Sequence, residues 1–326
     1  MANKSKVRSE GVSFSTRLFL AIIFILILKF TGEEVGINER MMIDSRSEIG
    51  VVAFNEKIYI IGGTEGSYPV GRVEEYDPVT KESVYKTSMT TKREALGIVE
   101  LQGKIYAIGG MQEDVEYSNI VEEYDPITDK WRTKSPMITP RASVVAVKSN
   151  GKIYACGGYN DLGDSRSAAV IEEYNPITDT WRLVTEIPTK IESSGQAIAV
   201  NGKIYIIGGH FDSRLKVYDI ETGEWSLKSS MQEGIQDFSV SKFNNKIYIF
   251  GGKYHLVDET QDLVLEYDIE TDSWTRKTNM CIAREDAGAA ELNGIIYVAG
   301  GYRYGEGGLR TIEEYNPITD TWLEFN

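Results

Sequence analysis

The chain of 326 residues carries 35 basic and 49 acidic side chains, a formal net charge of −14, and 41% of its residues are hydrophobic. The hydrophobic content is sufficient for a packed core, and the acidic balance argues against nucleic-acid binding, because phosphate recognition needs clustered Lys and Arg. Only two cysteines are present, Cys156 and Cys281, too few for a disulfide framework and without the spacing of a metal cluster. Cys156 lies within an apolar run, where a buried role is expected. We therefore expect neither a cofactor nor a metal site.

The first 32 residues differ from the rest of the chain. Several basic residues precede Leu18–Leu28, an uninterrupted apolar run of eleven residues. A membrane-spanning helix needs about 20 apolar residues, so this shorter run is typical of a signal peptide. We interpret residues 1–32 as a signal peptide or an uncleaved signal anchor, followed by a linker at 33–45. This predicts a protein that is secreted or membrane-anchored outside the cytoplasm, with membrane contact only through residues 18–30.

From Arg46 to Asn326 the chain repeats one pattern six times. An apolar run such as Lys203–Gly209 (KIYIIGG) ends each time in two glycines, and the second glycines are 43–51 residues apart. These glycines are Gly63, Gly110, Gly158, Gly209, Gly252 and Gly301. A period of this length without helical periodicity predicts a β-propeller with one blade per repeat.

Each repeat reads as four short strands, A to D. Strand A is a small apolar run such as Gly50–Phe54, and a turn such as Asn201-Gly202 leads into strand B, the run that ends in the glycine pair. Strand C has the form of Val73–Pro78 (VEEYDP), and a turn rich in Asp, Pro and Thr connects it to strand D. The tyrosine of strand C and a tryptophan seven residues later supply apolar area for packing between blades.

The double glycine, the later tyrosine and the tryptophan seven residues beyond it resemble the kelch repeat. The tryptophans are Trp131, Trp181, Trp225, Trp274 and Trp322, and Ser83 takes this place in the first repeat. The resemblance extends over residues 46–326 and implies an all-β protein, a monomeric six-bladed kelch-type propeller with four antiparallel strands per blade. Because the chain enters at strand A and ends in strand D, we expect six contiguous blades and a seam held by side-chain packing alone.

The strand order places the B–C loops and the D–A connections on one side of the disc, called the loop face below. These segments vary in length, and variable loops on a rigid scaffold are where function usually lies. In kelch domains that bind peptides, the residue after the glycine pair and residues near a D–A arginine line the channel mouth. The resemblance therefore implies a ligand-binding role for Tyr159, His210, Lys253, Tyr302, Arg93, Arg141, Arg284, Glu285 and Asp286. The repeated arginines, which include Arg46, have a structural alternative, in which they bond carbonyls of a neighbouring blade.

The leading functional interpretation is a non-catalytic scaffold that presents the loop face to a protein or carbohydrate ligand. The chain shows no catalytic triad, and its glycine pairs lead into loops rather than helices, which argues against a dinucleotide site. The alternative is a sugar-active enzyme resembling kelch mutarotases of the sialic-acid epimerase type, which would need a general acid and a general base in the channel. Candidate carboxylates are Glu94, Glu192, Asp237, Glu285 and Asp286, and their spacing does not select a pair.

Overall fold

The computed structural model describes residues 41–160, 169–188, 195–208, 213–232, 234–254 and 259–323. The predicted signal or anchor segment, Glu192 and His210 lie outside these residues. Within them the chain is almost entirely β, with one short 3-10 helix at Glu113–Val115. None of the helical structure described is long and apolar enough to cross a membrane.

Six four-stranded antiparallel sheets form the blades, each hydrogen-bonded in the chain order A-B-C-D. Blade one contains Gly50–Phe54, Lys57–Ile61, Val73–Asp77 and Glu82–Lys86; blade two Gly97–Leu101, Lys104–Ile108, Val121–Asp125 and Lys130–Lys134; blade three Val145–Ser149, Lys152–Cys156, Val170–Asn175 and Thr180–Glu186. Blade four contains Gln196–Val200, Lys203–Ile207, Leu215–Asp219 and Trp225–Lys228; blade five Ser239–Phe243, Lys246–Phe250, Val264–Asp268 and Ser273–Arg276; blade six Gly288–Leu292, Ile295–Ala299, Ile312–Asn316 and Thr321–Trp322. The predicted six-bladed, all-β architecture is confirmed.

Among the described residues, four short two-stranded ribbons lie on the loop face. Three of them lie within the B–C loops of blades one, two and six, and the fourth joins a D–A connection of blade five to the residues after its glycine pair. The paired segments are Thr64–Glu65 with Tyr68–Pro69, Met111–Gln112 with Glu116–Tyr117, Tyr302–Arg303 with Gly307–Gly308, and Ile235–Gln236 with Lys253–Tyr254. These ribbons give parts of the variable loops a fixed backbone.

The six A strands contact one another in succession, and strand A of blade six contacts strand A of blade one, so the blades form a closed ring. The A strands surround a central channel of about 690 Å³. The apolar B strands are the most buried, because a neighbouring blade packs against each of their faces. For example, Tyr106 of blade two and Ile153 of blade three share one apolar cluster. Cys156 is buried in strand B of blade three, and this burial raises the pKa of its thiol to about 12.

In blades two, three, five and six, the tyrosine and tryptophan of the repeat connect the outer edge of the blade to the blade before it. In blade two, the rings of Tyr124 and Trp131 lie 4.9 Å apart, and the Trp131 indole donates to the carbonyl of Thr87 at 2.8 Å. The Tyr124 hydroxyl donates to Asp129, whose same oxygen accepts the Thr87 amide at 2.9 Å. Blades three, five and six repeat these contacts. The seven-residue spacing of the kelch-like motif therefore encodes a contact between blades.

The second glycine of the pair is required by backbone conformation and by close approach. Gly301 has a φ of +97°, and a Cβ at this position would lie 2.6 Å from the carbonyl oxygen of Glu285. Its amide donates to the carbonyl of Arg46 at 2.9 Å. The glycine thus permits a close approach of the Glu285 carbonyl that a Cβ would prevent.

Every blade uses one contiguous segment, as predicted. The prediction that side-chain packing alone holds the seam is wrong, because the segment ahead of blade one bonds to blade six through its backbone. The amide of Met42 donates to the carbonyl of Arg310 at 2.8 Å, and Met41 forms a β-bridge with Thr311. Lys81 adds an ion pair to Glu314 at 2.6 Å. Residues 41–45, assigned from the sequence to the linker, therefore take part in ring closure.

Candidate ligand-binding site at the channel mouth

A collar of backbone hydrogen bonds surrounds the loop-face mouth of the channel. It consists of the residues that lie two positions after the arginine position in each described connection, all with a left-handed backbone: Glu48, Ala95, Ser143, Asp237 and Asp286. The amide of Glu48 donates to the carbonyl of Asp286 at 2.9 Å, and that of Ala95 donates to the carbonyl of Glu48 at 3.0 Å. Corresponding bonds join Ser143 to Ala95 and Asp286 to Asp237. All five residues line the channel.

Three consecutive blades contribute a carboxylate to this collar. They are Asp237 of blade five, Asp286 of blade six and Glu48 of blade one. Asp237 is ion-paired, whereas the side chains of Glu48 and Asp286 have no hydrogen-bond or ion-pair partner among the described residues. Two unpaired carboxylates, both partly exposed, thus line the mouth of the channel.

Burial and negative neighbours make these two carboxylates hard to ionise. Burial, followed by the charges of Glu94 and Asp237, raises the pKa of Glu48 to about 7, although Lys253 opposes the shift. The pKa of Asp286 is held well above its ordinary value by burial first and then by the charges of Asp237, Glu48 and Glu285. Burial also raises the pKa of Glu94, which accepts a hydrogen bond from Thr64.

Lys253 is the cation of this cluster. Its ammonium group pairs with Glu285 at 2.9 Å and with Asp237 at 3.2 Å. Burial disfavours its charge, but the hydrogen bond to Glu285 and the two negative charges outweigh that effect and raise its pKa. Lys253 also lowers the pKa of Glu48 and of Asp286, but burial and the negative neighbours outweigh its effect on both.

The opposite mouth of the channel has a balanced charge. There the A strands of blades two, three, five and six carry, one residue before their ends, Glu100, Lys148, Lys242 and Glu291, two acids and two bases. Lys148 and Glu100 form an ion pair, and the Lys242 ammonium donates to the carbonyl of Ala199 at 2.6 Å. The excess of negative charge is therefore a property of the loop-face mouth.

Exposed tyrosines lie on the B–C loops of the loop face. Tyr68 is 67% exposed, Tyr304 65%, Tyr159 43% and Tyr302 37%. The ring of Tyr159 packs edge-on against that of Tyr117, with the ring centroids 5.5 Å apart. Tyr302 is fixed by two backbone hydrogen bonds with Glu285, of 2.8 and 2.9 Å. Amphipathic rings held in this way are suitable for contact with a partner.

The repeated arginines lie inside the blades, fully buried. Arg93 donates to the carbonyls of Gly109 at 2.7 Å and Ile120 at 2.9 Å, and pairs with Glu122 at 2.6 Å. Arg46, Arg141 and Arg284 each pair in the same way with the first glutamate of strand C in their own blade. These contacts give the arginines a structural role, and a ligand-binding role for Arg93, Arg141 and Arg284 stays a prediction.

Comparison with known families agrees with this architecture. A family model described as the KLHDC2/KLHL20/DRC7 kelch-repeats domain matches residues 142–326, and the kelch motif matches residues 45–90 and 92–138. The chain belongs to the kelch-repeat family. Among curated proteins, a 59-residue stretch is 39% identical to the F-box/kelch-repeat protein At1g67480 of Arabidopsis thaliana, spanning 17% of this chain and 16% of the plant protein.

A solved structure titled "Structure of YjhT" is similar to this kelch propeller with a TM-score of 0.74. The similarity covers 88% of this chain and 99% of that one, at 16% sequence identity. At this identity the likeness supports the fold.

The kelch propeller brings together three of the residues implied from the sequence, Lys253, Glu285 and Asp286, with Tyr302 beside them. Tyr159 follows the glycine pair of blade three and forms a β-bridge with Ala142, in the connection from blade two. His210 is outside the described residues. Glu48 is not among the residues predicted from the sequence. The signal that identifies it is positional, because Glu48 follows Arg46 by two residues as Asp286 follows Arg284. Within the described residues, no group of three or more His, Cys, Asp or Glu side chains is placed to hold a metal ion.

Proposed function

We propose that this kelch propeller is a non-catalytic binding module whose loop face binds a protein partner. The observation that carries the proposal is the set of exposed tyrosines on the B–C loops of the loop face. Large aromatic side chains near the centre of an interface contribute much of the binding free energy, and a rigid backbone lowers the entropic cost of binding. Tyr159 and Tyr302, each paired through its backbone to a D–A connection, fit this role.

Partner capture by the full chain tests the proposal. The wild type and the double variant Tyr159→Ala/Tyr302→Ala are compared as baits in extracts of the native cells, with quantitative identification of what each retains. We expect the specific partner to be lost from the double variant, because each anchor contributes about 2 kcal/mol, or about 30-fold in affinity. The matched control is Leu227→Ala, a change at an exposed apolar residue on the outer strand of blade four.

Equal capture by the wild type and the double variant would contradict the proposal. Retention of a defined sugar on a glycan array, lost in the double variant, would assign the same face to a carbohydrate ligand.

A second candidate function, a sugar-active enzyme of the mutarotase type, is favoured by one observation. Glu48 has a pKa near neutrality and lies beside Asp286, which is the arrangement that general acid–base catalysis uses. Anomerisation measured by NMR with the purified protein, abolished by Glu48→Gln, would establish this candidate in place of the first.

We also propose that the protein acts outside the cytoplasm. The support is the basic stretch followed by the apolar run Leu18–Leu28. Fractionation of cells that express the full chain tests this, and recovery only in the cytosol would overturn it.

A further inference from the structure

The six A strands place a ring of side chains at the opposite mouth of the channel. Each strand contributes its last residue but one, and all six of these residues line the channel. In the order of the blades the ring consists of Ala53, Glu100, Lys148, Ala199, Lys242 and Glu291. Each lysine of the ring therefore lies between a glutamate and Ala199.

The two lysines of the ring differ in their contacts. Lys148 forms an ion pair with Glu100, its neighbour in blade two. The ammonium group of Lys242 instead donates to the carbonyl of Ala199 at 2.6 Å. Among the described residues no carboxylate forms an ion pair with Lys242, although Glu291 follows it in the ring. Lys242 is thus the charge of the ring without a counter-charge in contact.

The surroundings of Lys242 disfavour the protonated form of its amine. Partial burial lowers the pKa of Lys242, and the positive charge of Lys148 lowers it further, while Glu291 opposes the shift from a distance. The Oε1 atom of Glu291 accepts the amide of Gly294 at 2.7 Å and so closes the A–B turn of blade six. The side chain of Lys242 nevertheless remains accessible from the mouth. A lysine that is partly desolvated, close to a second cation and accessible is suited to act as a nucleophile.

The channel beside Lys242 offers apolar walls. Val51, Ile98 and Val240 lie two residues before the ring on their strands and line the channel. Ala199, next to Lys242 in the ring, carries only a methyl group. The channel volume of about 690 Å³ is within the range of small-molecule sites. An apolar molecule of several carbon atoms therefore fits beside the amine.

We propose that Lys242 is a covalent binding site for an aldehyde with an apolar body, which the channel holds as an imine. The neutral amine attacks the carbonyl carbon and forms the C–N bond, and one proton moves from nitrogen to the carbonyl oxygen to give a carbinolamine. This hydroxyl group then leaves with the second proton of the nitrogen as water, and the C=N bond forms. The step needs no oxidant or reductant. The site lies at the mouth opposite the loop face and goes beyond the binding role proposed for that face.

Reductive trapping tests the proposal. The full chain is incubated with hexanal and sodium cyanoborohydride, which reduces the imine to a stable secondary amine, and peptide mass spectrometry follows the labelling of each lysine from pH 6 to pH 9. We expect Lys242 to be labelled at least about tenfold faster than Lys148 at pH 7, because one pKa unit corresponds to about a tenfold change in the neutral fraction. Lys242 should also reach its full rate at a lower pH than Lys148.

Two variants should change the labelling rate of Lys242 in opposite directions. Lys148→Met removes the neighbouring positive charge and should slow the labelling, whereas Glu291→Gln removes the opposing negative charge and should speed it. The amide oxygen in Glu291→Gln can still accept the bond from Gly294. Lys242→Arg is the control, which should lose this label alone, and circular dichroism and melting temperature verify the fold of each variant.

Three results would overturn the proposal. One is labelling of Lys242 no faster than that of Lys148 or of Lys130, an exposed lysine on strand D of blade two. Another is a rate at Lys242 that neither Lys148→Met nor Glu291→Gln changes. The third is a preference for Lys242 over Lys130 that is as large with glycolaldehyde, a polar aldehyde, as with hexanal, because the apolar walls would then contribute nothing to binding.

Discussion

The backbone amide of Glu48 donates to the carbonyl of Asp286 at 2.9 Å, which joins blade one to blade six and places two carboxylate-bearing residues side by side. The same bond therefore contributes to ring closure and to the charge of the channel mouth. Both residues have a left-handed backbone, with φ values of 52°. Because Glu rarely adopts this conformation without cause, and Ala95 and Ser143 adopt it at the same position, the collar position is held by tertiary structure rather than by local preference.

The buried Arg–Glu pairs allow a prediction about stability, and blade five, which lacks the pair, serves as the comparison within the same chain. Blade five carries Ile235 and Leu265 at the two equivalent positions, both buried in one apolar cluster. Glu122→Leu alone should destabilise the protein by about 3–5 kcal/mol, because Arg93 would be left charged and unpaired. The double variant Arg93→Ile/Glu122→Leu should recover much of this loss. Urea unfolding measures both, and equal stability of the single and double variants would show that the pair is not coupled.

The free energy of unfolding should depend on pH through the ionisation of Glu48. Its pKa is raised from 4.5 to about 7 in the folded chain, so the folded state holds the proton more tightly and the protein loses stability as pH rises from about 4.5 to 7. Glu48→Gln should therefore be more stable than the wild type at pH 8, by about 1–3 kcal/mol, and nearly equal to it at pH 4. Thermal melts across this range, with Glu113→Gln as the surface control, test the expectation. A difference between Glu48→Gln and the wild type that does not change with pH would contradict it.

The ion pair between Lys81 and Glu314 crosses the seam, and its glutamate is almost fully buried. Lys81→Ala should therefore loosen the junction of blades six and one, which hydrogen exchange would detect as lost protection in residues 41–48 and 309–316. Lys86→Ala is the matched control, since Lys86 pairs with Glu75 within blade one at 3.7 Å. If both variants exchange alike in these two segments, the ion pair does not secure the seam.

Two glycines of blade six allow the cost of backbone strain to be measured apart from the cost of a steric clash. Gly301 and Gly305 both have positive φ values, of 97° and 83°, but a Cβ would meet the Glu285 carbonyl at Gly301 and open space at Gly305. Gly305→Ala should cost about 1 kcal/mol from conformation alone, and Gly301→Ala distinctly more. Melting temperatures of the two variants measure the difference, and equal losses would mean that the close approach relaxes freely.

The sequence by itself determined the number of blades, their four strands and the order of those strands. The reason is that these features have local signals: the apolar B strand, the Asn-Gly turn and the tyrosine and tryptophan positions all lie within one repeat. The predicted run Lys203–Gly209, for example, contains strand B of blade four, Lys203–Ile207.

Only the tertiary structure decided which residues form the channel mouth and how the ring closes. Glu48 and Asp286 lie at opposite ends of the repeat array, and ring closure alone brings them together. Arg284 and Asp286 are two residues apart in one connection, yet the first is buried against Glu313 and the second faces the channel. The direction of each side chain follows from a left-handed backbone and from packing by the neighbouring blade, neither of which has a signal within a single repeat.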